Sequence, residues 1–312
     1  MKIRLGYVAL PVTLDITASK TITLTNYKKL GKKKGEEKRE KLFLENTDNL
    51  MKILKYNLKN NIHFYRMTSH LVPLLTYKDS YDNILVKHKN KLSEIGDFIK
   101  TNNMRVDIHP DQFNVLNSNN PSVVEATISN LNYYDDLMNK LKLKTNIILH
   151  IGSSQGGKKE SMNRFLNNFN KLNKSIKKKI AVENDDKVFN IRNVLSIAKK
   201  IDVPVVLDYH HFLVNRNNEK IEDYIADIFD TWKTIHKIHF SSPKSKKEKR
   251  SHHDYINSDI FIDFIEKIKF CDRDFDIMIE AKKKDEALFK LVRELKYKTN
   301  YKFIDETTFI VE

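Results

Sequence analysis

The chain has 312 residues, the length of one large domain or two small ones, so length alone does not fix the number of domains. Hydrophobic residues make up 40% of the chain, enough for a sizeable core, which excludes a wholly disordered protein. Lys and Arg number 56 against 41 Asp and Glu, a formal net charge of +15. Such an excess indicates either a polyanionic partner such as nucleic acid or a general compositional preference for lysine.

The single cysteine and the short apolar runs exclude two further classes of protein. With Cys271 alone, the chain forms neither an internal disulfide nor a cysteine-based metal site, which fits a reducing compartment. The longest apolar runs are far too short to cross a bilayer, and the first residues contain Pro11 but no cleavage pattern of a signal peptide. We therefore expect a cytoplasmic protein that binds no membrane.

Eight short apolar runs along the chain have the composition of buried parallel strands. Segments with helical periodicity lie between most of them, and one of these starts at Asn120 and Pro121, a helix cap followed by a first-turn proline. Parallel strands need helical crossovers, so eight such repeats predict a single closed (β/α)8 barrel, a TIM barrel, over residues 1–312, with a tail after about residue 300. The predicted strands are residues 3–7, 62–67, 105–109, 146–152, 180–184, 204–210, 237–242 and 276–281.

An open, doubly wound sheet is the alternative fold. It is disfavoured because the chain has only seven glycines and no glycine-rich turn after the first strand. Two basic segments, residues 28–41 and 244–250, follow predicted strands and are expected either to line one end of the barrel or to be ordinary solvated surface.

Each predicted strand ends at, or just before, a residue that can bind a metal or take part in chemistry. The active site of a TIM barrel lies at the C-terminal ends of its strands, so these residues are expected to converge although they are far apart in sequence. They are Tyr7, Arg66, His109, His150, Glu183, Asp208, His239 and Glu280.

Three of these strand-terminal residues are carboxylates. Glu183, Asp208 and Glu280 each need a partner, because burying a carboxylate alone costs several kcal/mol. Taken singly, a histidine such as His150 is more often a core residue than a ligand. Together, the histidines and carboxylates are best satisfied by a divalent cation, so the sequence predicts a metal site at the C-terminal ends of the strands.

Two local patterns extend the predicted site. Asp208 precedes His211 by three residues where the chain leaves a strand, a spacing that serves two adjacent metals. His252 and His253 follow the second basic segment and either complete a further metal site or form an exposed pair. Clustered metals on a basic protein favour hydrolysis of phosphate esters, although metal-dependent sugar isomerases share this barrel and type of site.

At these positions the sequence resembles the ultraviolet damage endonuclease (UVDE) family, with motifs in family order over nearly 90% of the chain. The resemblance implies a TIM barrel similar to endonuclease IV. The motifs are IRLGY (3–7), FYRMTSHLVP (64–73), HPDQF (109–113), LHIG (149–152), VENDD (182–186), DYHH (208–211), KIHFSS (237–242), SHHDY (251–255) and MIEAK (278–282).

The resemblance also implies an activity. The family cuts double-stranded DNA immediately 5′ of cyclobutane pyrimidine dimers and 6-4 photoproducts, leaving a 3′-hydroxyl and a 5′-phosphate, with a cluster of three metals usually assigned as manganese. Zinc, magnesium and cobalt are alternative metals. Nothing in the sequence demands more than a monomer, so we expect a monomer in the cytoplasm that associates with the nucleoid when it acts on DNA. The alternatives are an abasic-site endonuclease, a sugar isomerase or epimerase, and a DNA-binding barrel without activity.

The resemblance assigns roles to individual residues. Glu183, Lys237 and His70 are the expected catalytic residues. Lys237 matches a lysine that the family carries in carboxylated form, with a phosphate contact as the alternative, and the alternative for His70 is a core or capping role. The expected metal ligands are His109, His150 and Glu183 for one ion, Glu183, Asp208, His239 and Glu280 for a second, and His211 and His252 for a third.

Three residues are expected to contact the substrate. Gln112 and Phe113 stand where the family places a Gln-Tyr pair that probes the duplex, and the ring of Phe113 can still stack without the hydroxyl. Packing on the barrel rim is the alternative for Phe113. Tyr7 is either a substrate contact or a buried structural tyrosine. An asparagine that some relatives place near the lesion is replaced here within residues 8–11.

Overall fold

The computed structural model of the protein describes residues 1–74 and 81–312. The predicted apolar runs form parallel strands, because each is flanked by helices that cover its outer face. The strands are β1 (Lys2–Val8), β2 (Phe64–Met67), β3 (Arg105–Ile108), β4 (Ile147–His150), β5 (Ile180–Glu183), β6 (Val205–Asp208), β7 (His236–Phe240) and β8 (Phe275–Ile279).

These eight parallel strands close into a barrel. Neighbours follow chain order from β2 to β8, and β1 pairs with both β8 and β2. In the register of the closing pairs, Tyr7 lies between Ile279 of β8 and Tyr65 of β2. The prediction of a TIM barrel is confirmed, and the C-terminal ends of all eight strands surround one mouth.

Helices connect the strands and bury their apolar faces against the barrel. The start of α4 is the predicted one, since the Asn120 side chain accepts a hydrogen bond from the backbone N–H of Ser122 and Pro121 occupies the first turn. The helices are α1 (Leu24–Lys59), α2 (Tyr81–Lys87), α3 (Lys89–Thr101), α4 (Pro121–Lys140), α5 (Lys158–Asn170), α6 (Lys174–Lys177), α7 (Ile191–Ile201), α8 (Tyr209–Asn215), α9 (Ile225–Asp230), α10 (Ser258–Ile268) and α11 (Lys284–Lys298).

Helix α1 carries the first basic segment, residues 28–41, and is kinked there. Gly31 has φ 73°, a left-handed conformation that glycine adopts without steric cost, and it breaks the regular helix. The helix resumes at once, with Arg39 buried and its Nε donating to the carbonyl of Pro73 at 2.9 Å. In the described part of the chain, helices are too short or too polar to cross a bilayer.

The residues after 300, expected as a tail, form a hairpin that extends the sheet. Strand β9 (Lys302–Phe303) pairs with β10 (Thr308–Ile310), and β10 pairs antiparallel with the first residues of β1. The strand β1 meets β2 only from Gly6 onwards, which leaves the edge of its first half free for β10. Stacking of Phe309 on Tyr301, with ring centroids 5.4 Å apart, adds apolar contact that a loose tail lacks.

The interior of the barrel is divided into an apolar side and a charged side. Next to β4, β5 and β6 it is filled by an apolar cluster of Ile148, Ala181, Val206 and Trp232. The indole N–H of Trp232 donates to the carbonyl of Val205 at 2.7 Å, which satisfies its polar atom. Below the ends of the strands, the chain positions its buried charges on the other side of the barrel.

The charged side begins near the N-terminal ends of the strands. There, Asp276 is completely buried and paired with two guanidinium groups, Arg4 at 2.6 Å and Arg105 at 2.7 Å. Closer to the mouth, the buried ammonium of Lys237 pairs with the buried carboxylate of Asp107. Buried charges need such partners, and the pairs continue upwards to the residues at the ends of the strands.

Candidate metal centre

The strand-terminal histidines and carboxylates converge at the mouth of the barrel, as the sequence predicts. They form two groups whose ligand atoms all lie within 4.8 Å of one another in each group. One residue, Glu183 at the end of β5, belongs to both groups. The first group is His109, His150 and Glu183, and the second is Glu183, Asp208, His239 and Glu280.

The two oxygens of Glu183 face different groups. Its Oε2 lies 2.9 Å from Nε2 of His109 and 3.7 Å from Nε2 of His150. Its Oε1 lies 2.7 Å from Nδ1 of His239, which is 3.3 Å from Oε1 of Glu280. A carboxylate in this position can bridge two cations.

The contact between His109 and Glu183 requires a positive charge. The Nδ1 of His109 lies 2.9 Å from the carbonyl oxygen of Pro110, which only accepts hydrogen bonds, so this nitrogen carries the proton. In the neutral ring, Nε2 therefore presents a lone pair to the carboxylate oxygen of Glu183. Two acceptors at 2.9 Å attract only through a proton or a metal between them, so this pair fits a metal ion.

His211 and His252 are oriented in the same way as His109. Their Nδ1 atoms donate to the carbonyl oxygens of Asn184 at 3.0 Å and Glu280 at 2.8 Å. Metal-binding histidines commonly donate their second N–H to a backbone carbonyl, which fixes the ring and leaves Nε2 for the metal. Their ring centroids are 6.4 Å apart, and neither residue belongs to the two groups described above.

Several buried polar atoms near the centre lack a hydrogen-bond partner in the described ranges of the chain, and the carboxylate oxygen among them fits a cation. Within residues 1–74 and 81–312, no hydrogen-bond partner satisfies Oδ2 of Asp208, Nδ1 of His150 or Nε2 of His210. His210, which the sequence does not single out, packs edge-on against His252 with centroids 5.5 Å apart. By contrast, His253 is exposed and its Nδ1 accepts a hydrogen bond from the backbone of Tyr255. The geometry thus places His252, rather than His253, beside the centre.

The electrostatics of the centre are those of crowded, buried charges. Burial raises the pKa of Asp208 to about 7, and the nearby Glu183 and Glu280 add to the effect. Burial also lowers the pKa of His150 to about 4. Burial would lower the pKa of His211, but the charges of Asp208, Glu183 and Glu280 together outweigh it and raise that pKa to about 9. The raised pKa values of Asp208 and His211 both include the effect of Glu183 and Glu280, whose negative charge a cation would neutralise.

Arg66 takes a position that the sequence did not assign. The sequence marks it only as a strand-terminal residue, yet its guanidinium lies 2.7 Å from Oε1 of Glu280 and 2.6 Å from Nε2 of His239. Its Nε is 3.6 Å from the Asp107 carboxylate. A buried arginine at the end of a strand was the available signal, since such a group needs carboxylate partners.

Lys237 lies below the centre rather than in it. Its side chain is fully buried, pairs with Asp107, and has its ammonium 5.6 Å from the centre of the Phe64 ring. Burial lowers the pKa of Lys237 to about 8 despite the nearby Asp107. In this conformation the ammonium cannot reach a phosphate in the mouth, so the phosphate contact named above for Lys237 is not supported.

A cleft of about 560 Å³ opens beside the centre and contains His70 and the Gln112–Phe113 turn. The His70 side chain is half exposed, with Nε2 3.1 Å from Asp111. Phe113 is 78% exposed, so it does not pack on the barrel rim. Gln112 and His150 also line a second cleft of about 510 Å³ on the other side of the turn. The turn therefore stands between two open grooves.

Tyr7 is a correction to the predicted substrate contacts. Its side chain is completely buried, and its hydroxyl donates to Oδ1 of Asn57 in α1 at 2.7 Å. Burial raises the pKa of Tyr7 well above its usual value. The side chain packs between the barrel and α1, so the structural alternative for Tyr7 applies. Val8 and Ala9, which follow it, line the cleft instead.

A TIM barrel with histidines and carboxylates gathered at its mouth defines a class of metal-dependent barrel enzymes. The chain matches the family "UV-endonuclease UvdE" over residues 3–308. It is 36% identical to "UV DNA damage endonuclease" of Bacillus cereus (strain B4264) over 301 residues, covering 95% of both chains. It is also 36% identical to the protein of that name in Bacillus mycoides (strain KBAB4), over 314 residues and 99% of both.

Solved structures agree with the family. The crystal structure of SacUVDE superposes with a TM-score of 0.87 at 36% identity, covering 95% of this chain and 98% of that one. A D-tagatose 3-epimerase-like protein superposes with a TM-score of 0.60 at 14% identity, covering 94% and 96%, which reflects the shared barrel alone. The chain belongs to the UV-endonuclease UvdE family, so the predicted family and the prediction of an endonuclease are confirmed.

Proposed function

We propose that the protein cuts double-stranded DNA immediately 5′ of cyclobutane pyrimidine dimers and 6-4 photoproducts, leaving a 3′-hydroxyl and a 5′-phosphate. The observation that carries the proposal is the position of the exposed Phe113 at a cleft that leads to the candidate metal centre. Lesion and scissile phosphate must be held at once, and this chain has a stacking ring and a metal-binding cluster within one open site.

Glu183 is the proposed bridge between two metal ions, and its neighbours complete each set of ligands. We propose a cluster of three ions. Manganese is the first candidate, and zinc, magnesium and cobalt are alternatives that metal analysis distinguishes. His109 and His150 would hold the first ion, and Asp208, His239 and Glu280 the second. His211 and His252 would hold the third, because both present Nε2 beside the centre. Divalent ions in such clusters lower the pKa of water and neutralise charge on the attacking and leaving oxygens.

Two further residues have proposed roles around the cluster. His70 lies in the cleft with its imidazole held by Asp111, where it would contact the phosphate or move a proton. Lys237 would act in carboxylated form, which would turn its cationic side chain into an anionic one beneath the ligands. Burial lowers the pKa of Lys237 to about 8, which shifts the amine towards the neutral form that this modification needs, and the modification would replace the ion pair with Asp107. Since the described ligands all come from one chain, we propose a monomer that acts on DNA in the cytoplasm, at the nucleoid.

Phe113→Ala is expected to lower the preference for dimer-containing over intact duplex by about 10-fold. Stacking of a base on an aromatic ring contributes about 1–3 kcal/mol, and a dimer is already poorly stacked, so the ring enters there at the lowest cost. The measurement is the ratio of affinities for the two duplexes. Phe270→Ala, which removes another exposed ring, is the control. An unchanged ratio in Phe113→Ala would show that the ring does not read the lesion.

The proposed reaction is tested on an end-labelled duplex with one thymine dimer, beside an undamaged duplex and one with an abasic site. With manganese, we expect a single cut immediately 5′ of the dimer, and chelation of the metal abolishes it. Cutting only at the abasic site would identify an abasic-site endonuclease. If no duplex is cut while metal is bound, a sugar isomerase or epimerase becomes the better proposal.

A further inference from the structure

The second basic segment, residues 244–250, forms a hairpin with a fixed base, referred to below as the basic hairpin. The backbone of Pro243 bridges to that of His252, and the N–H of Lys244 donates to the carbonyl of Ser251 at 2.7 Å. His252 is itself anchored, since its Nδ1 donates to the carbonyl of Glu280. The basic hairpin is therefore attached directly to the candidate metal centre.

The charge of the basic hairpin is not balanced by its surroundings. It has five basic residues and one acidic residue, all exposed. Lys244 pairs with Glu248 at 2.8 Å and Arg250 with Asp186 at 3.3 Å. The remaining cations, Lys246, Lys247 and Lys249, have no ion pair with any residue of 1–74 or 81–312.

Some exposed lysines of this chain have acidic partners and others, such as Lys28 and Lys29 in α1, have none among the described residues, so what distinguishes the basic hairpin is its attachment to the candidate metal centre. Lys199 pairs with Asp227 at 2.8 Å, and Lys233 pairs with Asp202 at 2.6 Å. An exposed lysine in an ordinary loop is stable with or without such a pair. Three unpaired lysines in one anchored hairpin, however, concentrate positive potential at a single place. This concentration fits a polyanion that approaches the mouth of the barrel.

The topology places the basic hairpin opposite the Gln112–Phe113 turn. The hairpin follows β7 and the turn follows β3, which are four strands apart in the closed ring of eight. The two therefore stand on opposite sides of the mouth, with Glu183 and its neighbours between them. A duplex whose lesion contacts Phe113 and whose scissile phosphate lies at the centre extends towards the basic hairpin.

We propose that Lys246, Lys247 and Lys249 bind the DNA backbone on the side of the cut that faces away from the lesion, an inference that rests on the proposed function. Phosphate contacts carry no sequence information, but they fix the register of a protein on the duplex. Because the base of the hairpin is anchored at His252, these contacts would hold the duplex in a fixed position relative to the metal centre.

The first test is the salt dependence of binding. The triple variant Lys246→Gln, Lys247→Gln and Lys249→Gln is expected to bind undamaged duplex about 10- to 100-fold more weakly at low salt, with a log–log salt slope reduced by about 2 to 3, because each phosphate contact contributes about 0.9. The control is Lys142→Gln, Lys144→Gln and Lys178→Gln, an equal charge change before β4 and β5, at the opposite end of the barrel. Equal slopes in the two variants would overturn the proposal.

The second test locates the contact. Duplexes carry one dimer and neutral methylphosphonates on either the far side or the lesion side of the cut. Neutral phosphates on the far side should weaken binding by the metal-loaded parent protein. They should have no additional effect on the hairpin variant, which already lacks the proposed contact. Equal losses in both proteins would overturn the proposed position. If the salt slope is reduced in the hairpin variant but the parent protein does not cut the dimer duplex, the proposed function is refuted and the DNA contact is still supported.

Discussion

Glu183→Gln is expected to lower the rate of cutting at a dimer by about 10³-fold or more, while the protein stays folded. The amide has the shape of the carboxylate, so packing at the end of β5 is kept. It loses the negative charge that faces His109 on one side and His239 on the other. Because a single residue belongs to both groups of candidate ligands, one substitution would weaken two proposed metal sites at once.

The measurement combines single-turnover cutting with the metal content of the purified protein and its thermal unfolding. We expect fewer bound ions in Glu183→Gln and an unfolding transition that remains cooperative. Glu222→Gln, at an exposed position, is the matched control and should cut like the parent protein. Full activity of Glu183→Gln with manganese or magnesium would remove this residue from the reaction.

The barrel could be predicted from sequence because burial leaves a simple trace in parallel strands. A strand covered on both faces is a run of apolar residues, and it becomes polar where it reaches the mouth. The runs that end at Glu183, Asp208 and Glu280 show this change within one or two residues. Convergence then follows from closure, since every parallel strand ends at the same side of the barrel.

What sequence did not predict depends on pairs that only the folded chain brings together. Tyr7 and Asn57 are 50 residues apart, and their hydrogen bond shows that the tyrosine serves the packing of α1. Residues 302–310 have no strong strand pattern, and they are ordered by the free edge of β1. In both cases the partner, Asn57 or the edge of β1, is distant in the chain, so local periodicity gives no signal of the contact.

The role of Arg66 was missed for the same reason. Its strand pairs with β1 and β3, but Glu280 follows β8, on the far side of β1. Between them, Gly6 in β1 leaves room for β2, since an added Cβ would lie 2.1 Å from the carbonyl oxygen of Phe64. A pattern within one strand cannot show that an arginine reaches across its neighbour to a carboxylate.

Arg66→Met is expected to destabilise the metal-free protein by about 3–5 kcal/mol, the cost of removing one partner from a buried ion pair. The substitution leaves the Glu280 carboxylate without its guanidinium and Asp107 with Lys237 alone. Arg66→Lys should recover only part of the loss, because a point charge cannot contact both His239 and Glu280 as the planar guanidinium does.

Manganese should stabilise Arg66→Met more than it stabilises the parent protein. A metal bound by Glu280 and Glu183 would neutralise carboxylates that the arginine otherwise compensates, so the two cations would partly replace each other. Urea unfolding with chelator and with excess manganese measures the metal-induced gain in the free energy of unfolding for each of the two proteins. Arg105→Met is the control. Asp276 keeps its contact with Arg4 at the other end of the barrel, so the stability lost in Arg105→Met is expected to be smaller and independent of metal. Equal metal-induced gains in Arg66→Met and the parent protein would show that the arginine and the metal do not share these carboxylates.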